Sequence, residues 1–391
     1  MTWWKVTVTS QQSITIGTGT TRAFHTPSLG YIPGSTMRGA LARAWMMHGA
    51  DSSMFRDIFD GTVRFGPLLA EGSDVANQSV ARRKYEDGPN KFVDLAFSPS
   101  DEPPGTVEQL KGDVMWAAEG SMRTVVRSAL YADSKTARDG SLFSREVHRR
   151  HQRFTGHIVG GEALVKPLKE FPHVSIGGQK SVLGRAELRI EPAEVPKVKD
   201  LKRAVLRTLS PTILIDDAGR PDLEFVSAFR GYNVEKVWGA RLTTDGTSGW
   251  HAASNTPKPV DAAIAPGAVV VLQDPDPAKV AELLNRGIGT RRAEGFGWLE
   301  LVTHPWEPPT TEEETCGLDD QEVPAALGWS LRARRSLADW LMDLGENDLD
   351  QIKTQRAWIN LTDKQRKDVE KILRETPGEH RKAIASMLRR G

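Results

Sequence analysis

The chain has 391 residues, more than one typical domain of roughly 100–200, so two or three domains with separate cores are expected. Its 52 Lys and Arg nearly cancel 51 Asp and Glu, so net charge gives no warrant for a nucleic-acid partner and any such surface must be local. A single cysteine, Cys316, excludes an internal disulfide framework and a cysteine-rich zinc cluster, and with no signal peptide and no apolar run approaching about 20 residues it places the chain in the cytoplasm, off the membrane.

Trp4, Val6 and Val8 share one face of an opening strand. In YIPGSTMRGALARAWMMHG, Pro33 and Gly34 form a turn and Ser35 is the expected N-cap. Met37, Ala40, Leu41, Ala44 and Trp45 then recur at helical spacing up to Gly49. A short helix over Met54, Phe55, Ile58 and Phe59 leads to the strand GTVRFGPLL. Residues 71–113 are polar and rich in Gly, Pro and charge, and read as a long, partly disordered insertion. Residues 121–155 hold eight Lys or Arg against three acids, the strongest local excess of positive charge, readable as a solvated helix face or as a nucleic-acid footprint. SPTILID, FVSAF and AVVVLQ read as strands, and DPDPAKVAELLNRG as a helix capped by Asp276 with Pro277 at its first position. The acidic stretch 306–324 is a linker by composition. Beyond it Trp329, Leu331, Leu337, Trp340 and Leu341 form an apolar stripe, and Thr362 with Gln365 a capping box.

GIGTRRAEGFGWLELV, residues 287–302, invites a nucleotide-pocket reading that its order defeats. A dinucleotide fingerprint follows a strand and opens a helix, whereas here a helix precedes the glycines, a strand follows, and Arg292 stands at the third glycine position. An ungapped partner lies earlier in the chain: Gly178 aligns with Gly289, Lys180 with Arg291, Ser181 with Arg292, and Gly184 with Gly295. Both copies read as basic glycine turns feeding a strand, suited to an exposed polynucleotide backbone.

These segments together resemble the RAMP superfamily of CRISPR-associated proteins. IPGSTMRGALARAW is similar to the family's I-P-G-S-x-x-R-G segment, and GSLFSREVHRRHQRFTGHI to its motif ending F-x-G-x-I. VSIGGQKSVLGRAELRI resembles the L-G-G-x-x-S-x-G-x-G loop, with Arg185 and Ala186 in place of its last glycine. GIGTRRAEGFGWLEL resembles the final G-x-G-x-[RK]-[RK]-x-G-x-G loop. The resemblance covers residues 24–302 without the insertion. It implies an α+β fold of tandem ferredoxin-like (RRM-like) domains with glycine-rich loops, spanning 1–195 and 196–305, to which composition and apolar spacing add the 306–324 linker and an all-α C-terminal domain over 325–391. It further implies a subunit of a type III effector complex, most similar to the large III-D kind, that holds a CRISPR RNA (crRNA) by its 5′ tag. Other effector subunits are then partners and target RNA lies nearby.

The RNA-binding candidates are Gly34, Ser35 and Arg38 at the first helix, Arg149 and Arg150 in the basic stretch, and Gly178, Lys180, Ser181, Arg185, Gly289, Arg291 and Arg292 in the loops. No cofactor is expected. His148 and His151 stand three apart with no third ligand fixed by spacing, so no metal is expected either. His25, with His148, His151 and His157, and Asp57 or Asp60 are the groups an RNA-cleaving alternative would use, and helix capping explains Asp60 equally well. A third reading is a protein-interaction scaffold with little RNA contact. The tryptophans, Trp3, Trp4, Trp45, Trp238 and Trp298 among them, are assigned to packing.

Overall fold

The computed structural model describes residues 1–18, 24–49, 51–83, 92–97, 107–109, 115–116, 121–131, 133–134, 136–178, 183–198, 202–251, 254–309, 329, 331–343, 352–353, 356–375, 384–385 and 388. Two compact units emerge, Met1–His148 with Gln152–Pro309, and Arg149–His151 with Thr310–Gly391.

Unit 1 contains two principal antiparallel sheets. In the first, the long strands in chain order are Thr2–Ser10, Arg64–Ala70, Arg153–Gly160 and Arg185–Ala193. Their spatial order is fourth, first, third, second, with the short strands His173–Ser175 and Tyr31–Ile32 at the two edges. The helix Gly34–Met47 joins the first strand to the second, and the short helix Glu162–Val165 joins the third to the fourth. That is the β-α-β-β-α-β order. Alternation explains the core: Trp4, Val6 and Val8 point to one side and pack with Met37, Leu41, Trp45, Phe59 and Phe65. Lys5, Thr7 and Thr9 point to the other. The first helix starts one residue before the expected cap, with Pro33 in the N-cap position and Ser35 already inside the helix. Pro33 fits there because the extended φ it imposes suits the residue before the first turn.

The second sheet repeats this strand order. Arg203–Thr208, Val234–Trp238, Val269–Gln273 and Leu299–Val302 again lie fourth, first, third, second. The helix Pro277–Arg286 precedes the fourth strand, with Asp276 Oδ1 accepting from Ala278 N at 2.9 Å and Pro277 at the first position, as the sequence predicts. No helix stands between the first and second strands. SPTILID makes only isolated bridges at Thr212 and Ile215, and FVSAF is a turn opened by Phe225 at φ +59°. Phe225 and Phe229 still enter the core, filling the place of a helix beside Leu206, Val270, Val280 and Leu284. Trp3 and Val159 of the first sheet belong to this same core. Further ties are Trp3 Nε1 donating to Asn285 Oδ1 at 2.7 Å and Trp3 meeting Trp298 edge-on at 5.7 Å between ring centroids.

The insertion departs most from expectation. Residues 71–113 include the strands Asp74–Val75, Val80–Arg83, Phe92–Asp94 and Val107–Gln109, and Val75, Val80 and Ala81 are buried. Ala96 packs with Val205, Trp238, Val269 and Val271 on the face of the second sheet opposite its helix. Covering that stripe contributes about 1.5–3 kcal/mol for each fully buried valine. Polar contacts fix the cover. Arg207 bonds Asp74, Glu300 and Val75 O, Arg203 Nη1 donates to Ala96 O at 2.6 Å, and Asp94 accepts from Ser79 Oγ, Asn77 Nδ2 and Trp306 N.

The basic stretch is not helical. Met122–Leu130 and Ala137–His148 form an antiparallel hairpin, and His25–Thr26 pairs in parallel with its second strand. His148 and His151 therefore share no helix face: one ends a strand and the other turns at φ +61°.

In unit 2 the described elements Leu331–Asp343, Arg356–Ile359 and Asp363–Glu375 are helices, and Leu337, Trp340, Leu341, Trp358, Val369 and Leu373 share a core. The capping box forms as expected: Thr362 N donates to Gln365 Oε1 at 3.0 Å and Gln365 N to Thr362 Oγ1 at 3.3 Å. Among the described residues no helix is long and apolar enough to cross a membrane.

Candidate nucleic-acid interface

The two glycine loops occupy the same place in both sheets, just before the fourth strand, and each clasps the segment that follows the first strand. Gly178 N donates to Thr15 O and Thr290 N to Ile213 O, both at 3.0 Å. Gly184 N donates to Ser13 O and Gly297 N to Pro211 O, both again at 3.0 Å. Each loop closes on itself through Ile176 N to Gly184 O at 2.8 Å and Ile288 N to Gly297 O at 3.0 Å. The structural register thus equates Gly177 with Gly289 and Gly184 with Gly297, correcting the ungapped sequence alignment by one residue and then by two.

The glycines are needed for packing. A Cβ on Gly177 or Gly289 would lie 2.1 Å from Thr15 O or 2.3 Å from Ile213 O. On Gly184 or Gly297 it would lie 2.2 Å from Ile176 O or 1.8 Å from Ile288 O. All four also have positive φ, between +63° and +90°. The loop amides named above bond protein carbonyls, so the expectation that they face a phosphate as bare donors is corrected for them. Gly34 is explained in the same way: its Cβ would meet Phe65 O at 1.8 Å and Gly295 Cα at 2.9 Å, so the first helix and the second loop touch through backbone. Gly178 carries no such constraint, with only Thr15 Cγ2 at 4.0 Å.

The other expected site residues separate sharply. Arg38 Nε donates to Phe59 O at 2.6 Å and its Nη2 bonds Asp60, so both side chains close the turn after the first helix. Ser35 is half-buried and Asp57 exposed. Arg149 is buried with Nη2 2.9 Å from Asp339 Oδ1 inside unit 2, to which half-buried Arg150 also belongs. Lys180 and Ser181 lie outside the described residues. Arg185 is exposed at the start of its strand, its carbonyl accepting from Gln11 N and Gln12 N.

Arg291 and Arg292, adjacent in sequence, differ completely. Arg291 donates to Glu294 at 3.2 and 3.1 Å, to Thr247 O at 3.2 Å and to Asp261, and lies 4.5 Å from the Phe296 ring centroid. Lys258 Nζ reaches Glu294 at 2.5 Å. Burial opposes ionisation of Glu294, but its bonds to Arg291 and Lys258 prevail and hold its carboxyl down to about 2. Arg291 is therefore the centre of a structural ion cluster in the loop. Among the described residues no carboxylate pairs with Arg292, and burial and then the nearby Arg286 push its pKa down.

Neither sheet presents an RRM-type platform. The second is covered by the insertion. The open face of the first lines a cleft of about 870 Å³ with Lys5, Arg153 and Arg189 against Glu71, Glu187, Glu191 and Glu300, a poor balance for a polyanion. In that cleft burial lowers the pKa of His157, with Glu300 opposing and Lys5 adding to the fall.

The hairpin has the better surface. Val126, Leu142 and Phe143 are 61%, 56% and 37% exposed, Arg127 is exposed, and Arg127 stands opposite Phe143 in the register. A cation beside an aromatic ring on an exposed strand pair is what single-stranded bases and phosphates require. The charge excess marks the segment in the sequence, but Arg127 and Phe143 become neighbours only once the two strands pair. On the strand paired beside the hairpin, His25 Nδ1 is 2.8 Å from Ser144 Oγ, and Nε2 is 3.6 Å from Glu146 Oε1. Among the described residues no group of three or more His, Cys, Asp or Glu could hold a metal ion.

No family model and no curated protein matches the chain. Solved structures do. A chain of the type III-B Cmr-beta complex bound to cognate target RNA and AMPPnP is 14% identical with a TM-score of 0.44, over 73% of this chain and 90% of that one. A RAMP protein described as binding different RNA substrates is 7% identical with a TM-score of 0.34, over 78% and 100%. Oligomeric Cmr4 from Pyrococcus furiosus is 12% identical with a TM-score of 0.27, over 50% and 99%.

Proposed function

We propose that the chain is an RNA-binding subunit of a type III CRISPR effector complex, built on tandem ferredoxin-like domains with a C-terminal all-α domain. The observation that carries this reading is the hairpin, where Arg127 stands beside exposed Phe143. The glycine-loop, I-P-G-S and F-x-G-x-I segments support the RAMP assignment. The finer role, holding the 5′ tag of the crRNA and nucleating assembly with other subunits near the target RNA, rests on the resemblance of those motifs. Binding without cleavage is expected. RNA recovered with the protein and sequenced has a discrete 5′ end, and labelled guide precursor and complementary target stay intact. Arg127→Gln with Phe143→Ala weakens single-stranded RNA binding at least about ten-fold, the scale of losing one stacking and one charged contact, while circular dichroism shows the fold retained. Unaltered affinity in that variant would sink the reading.

One observation favours a second reading, an endoribonuclease: His25 lies between a hydroxyl and the Glu146 carboxylate, an arrangement that can orient a general base toward a 2′-OH. Cleavage by the wild type that disappears in His25→Ala would establish it.

A further inference from the structure

We propose that the open face of the first sheet docks an extended segment of a partner protein, one that carries an acidic and a basic side chain, across Lys5 and Glu191. The matched glycine clasps, which equate Thr15 with Ile213 and Ser13 with Pro211, carry the comparison of the two sheets back along their first strands. Lys5, Thr7 and Thr9 then occupy the places of Arg203, Val205 and Arg207. Strand pairing agrees, since Thr7 lies between Arg189 and Thr155 as Val205 lies between Val302 and Val271. On the second sheet this face already holds a polypeptide, the insertion. Val205 and Val271 pack with Ala96, while Arg203 Nη1 donates to Ala96 O at 2.6 Å and Arg207 bonds Val75 O. The grip is a guanidinium on a backbone carbonyl to either side of an apolar row.

The first sheet keeps a cation at one end of that pattern, Lys5 for Arg203, and replaces the apolar row. Thr7, Thr155 and Arg189 stand where Val205, Val271 and Val302 stand, so no apolar stripe demands a permanent cover, and the face lines a cleft of about 870 Å³. Such a surface suits an occupant that arrives and leaves, held by hydrogen bonds and charge. Glu187 already holds Arg189 at 2.9 Å. Lys5 and Glu191 are opposed in register and both exposed, yet among the described residues neither has an ion-pair partner. Side by side they offer a cation and an anion to one ligand. A polyanion is repelled by Glu191 beside Lys5, and an apolar ligand meets threonines. A protein segment with a carboxylate for Lys5, a Lys or Arg for Glu191 and backbone groups for the threonine hydroxyls matches all of them. The face runs about 13 Å from Lys5 to Thr9, the length of about four extended residues. The docking chemistry shares no residue with the hairpin; only the identity of the partner as another effector subunit rests on the RNA-binding reading above.

The test uses the full chain, expressed with its associated proteins and carrying the photoreactive amino acid p-benzoylphenylalanine in place of Thr7 or of Thr155. Irradiation joins the chain to a segment of another protein that holds an acidic and a basic residue within about four positions, identified by mass spectrometry of the joined peptides. Lys5→Glu with Glu191→Lys swaps the two charges across the strands and leaves their number unchanged, and it lowers the yield at least about ten-fold. The reciprocal swap in the captured segment restores the yield. Circular dichroism and the single-stranded RNA affinity of the swapped protein match the wild type, because neither residue belongs to the hairpin. Joining to RNA, to a second copy of this chain or to nothing at both positions overturns the docking site, and so does a captured segment whose yield ignores the swap. A docked segment captured from material that carries no RNA and binds none overturns the RNA-binding reading and keeps the docking site.

Discussion

The two sheets of unit 1 share strand order and a glycine clasp, yet they bury their faces differently. The first uses the helix Gly34–Met47 on one side and leaves the other open to a polar cleft. The second has no helix at the corresponding crossover, fills that place with Phe225 and Phe229, and covers its outer face with the insertion. What the halves hold in common is therefore the path of the backbone and the points where two strands of it come too close for a side chain. Helices and covers are interchangeable ways of drying a sheet; the clasp is not, because its carbonyls occupy the Cβ position.

The largest predicted effect tests the clasp. Gly297→Ala and Gly177→Ala each combine a positive φ with a backbone oxygen at about 2 Å, and each destabilises by about 3 kcal/mol in denaturant unfolding. Gly178→Ala, one residue from Gly177, costs less than about 0.5 kcal/mol. Equal losses at 177 and 178 would break the structural register and restore the sequence alignment. Next comes what distinguishes the second loop, its ion cluster. Arg291→Met leaves Glu294 and Asp261 without their shared partner and lowers stability by about 2 kcal/mol, less than for a fully buried pair because water reaches part of the group. No change would mean that the cluster decorates the loop without holding it.

The smallest effect concerns the open face of the first sheet. His157 in the cleft and His148 at the base of the hairpin both have pKa values lowered chiefly by burial. The unfolded chain thus binds more protons than the folded one as pH falls through about 6.5, the unfolded histidine value, so stability declines from there toward the lower folded values. His157→Gln flattens that decline. A variant with the wild-type pH profile would show that the cleft does not control the histidine.

Local signals were legible in the sequence wherever the cause was local. The alternation of Trp4, Val6 and Val8, the Asp276 and Pro277 start, and the Thr362 and Gln365 box each involve residues within a turn or strand, and all form as expected. The insertion's strands are hidden in the sequence because its polar composition masks a few apolar residues, Ala76, Val80 and Ala96, whose partners lie far along the chain. The basic stretch gave its charge but not its shape, since arginines spaced for a helix also fit a hairpin. SPTILID has the composition of a strand, but Thr212 bonds Ile264, and Pro211 and Ile213 offer carbonyls to the glycine loop. Of the adjacent arginines, one is held by Glu294 three residues on, a spacing visible beforehand, and by Asp261, which only the fold brings near.

The insertion lies between the second and third strands of the first sheet but protects the second, while Trp3 and Val159 of the first sheet fill the second core. Cutting the chain near residue 196 would give two fragments that each expose what the other was meant to cover. The N-terminal piece would carry a seal with nothing beneath it. The C-terminal piece would show Val205, Val269 and Val271 as an uncovered apolar sheet face and is expected to aggregate through it. Expressed together, the pieces are expected to recombine, because the folding unit is longer than either sheet and the insertion is its seam.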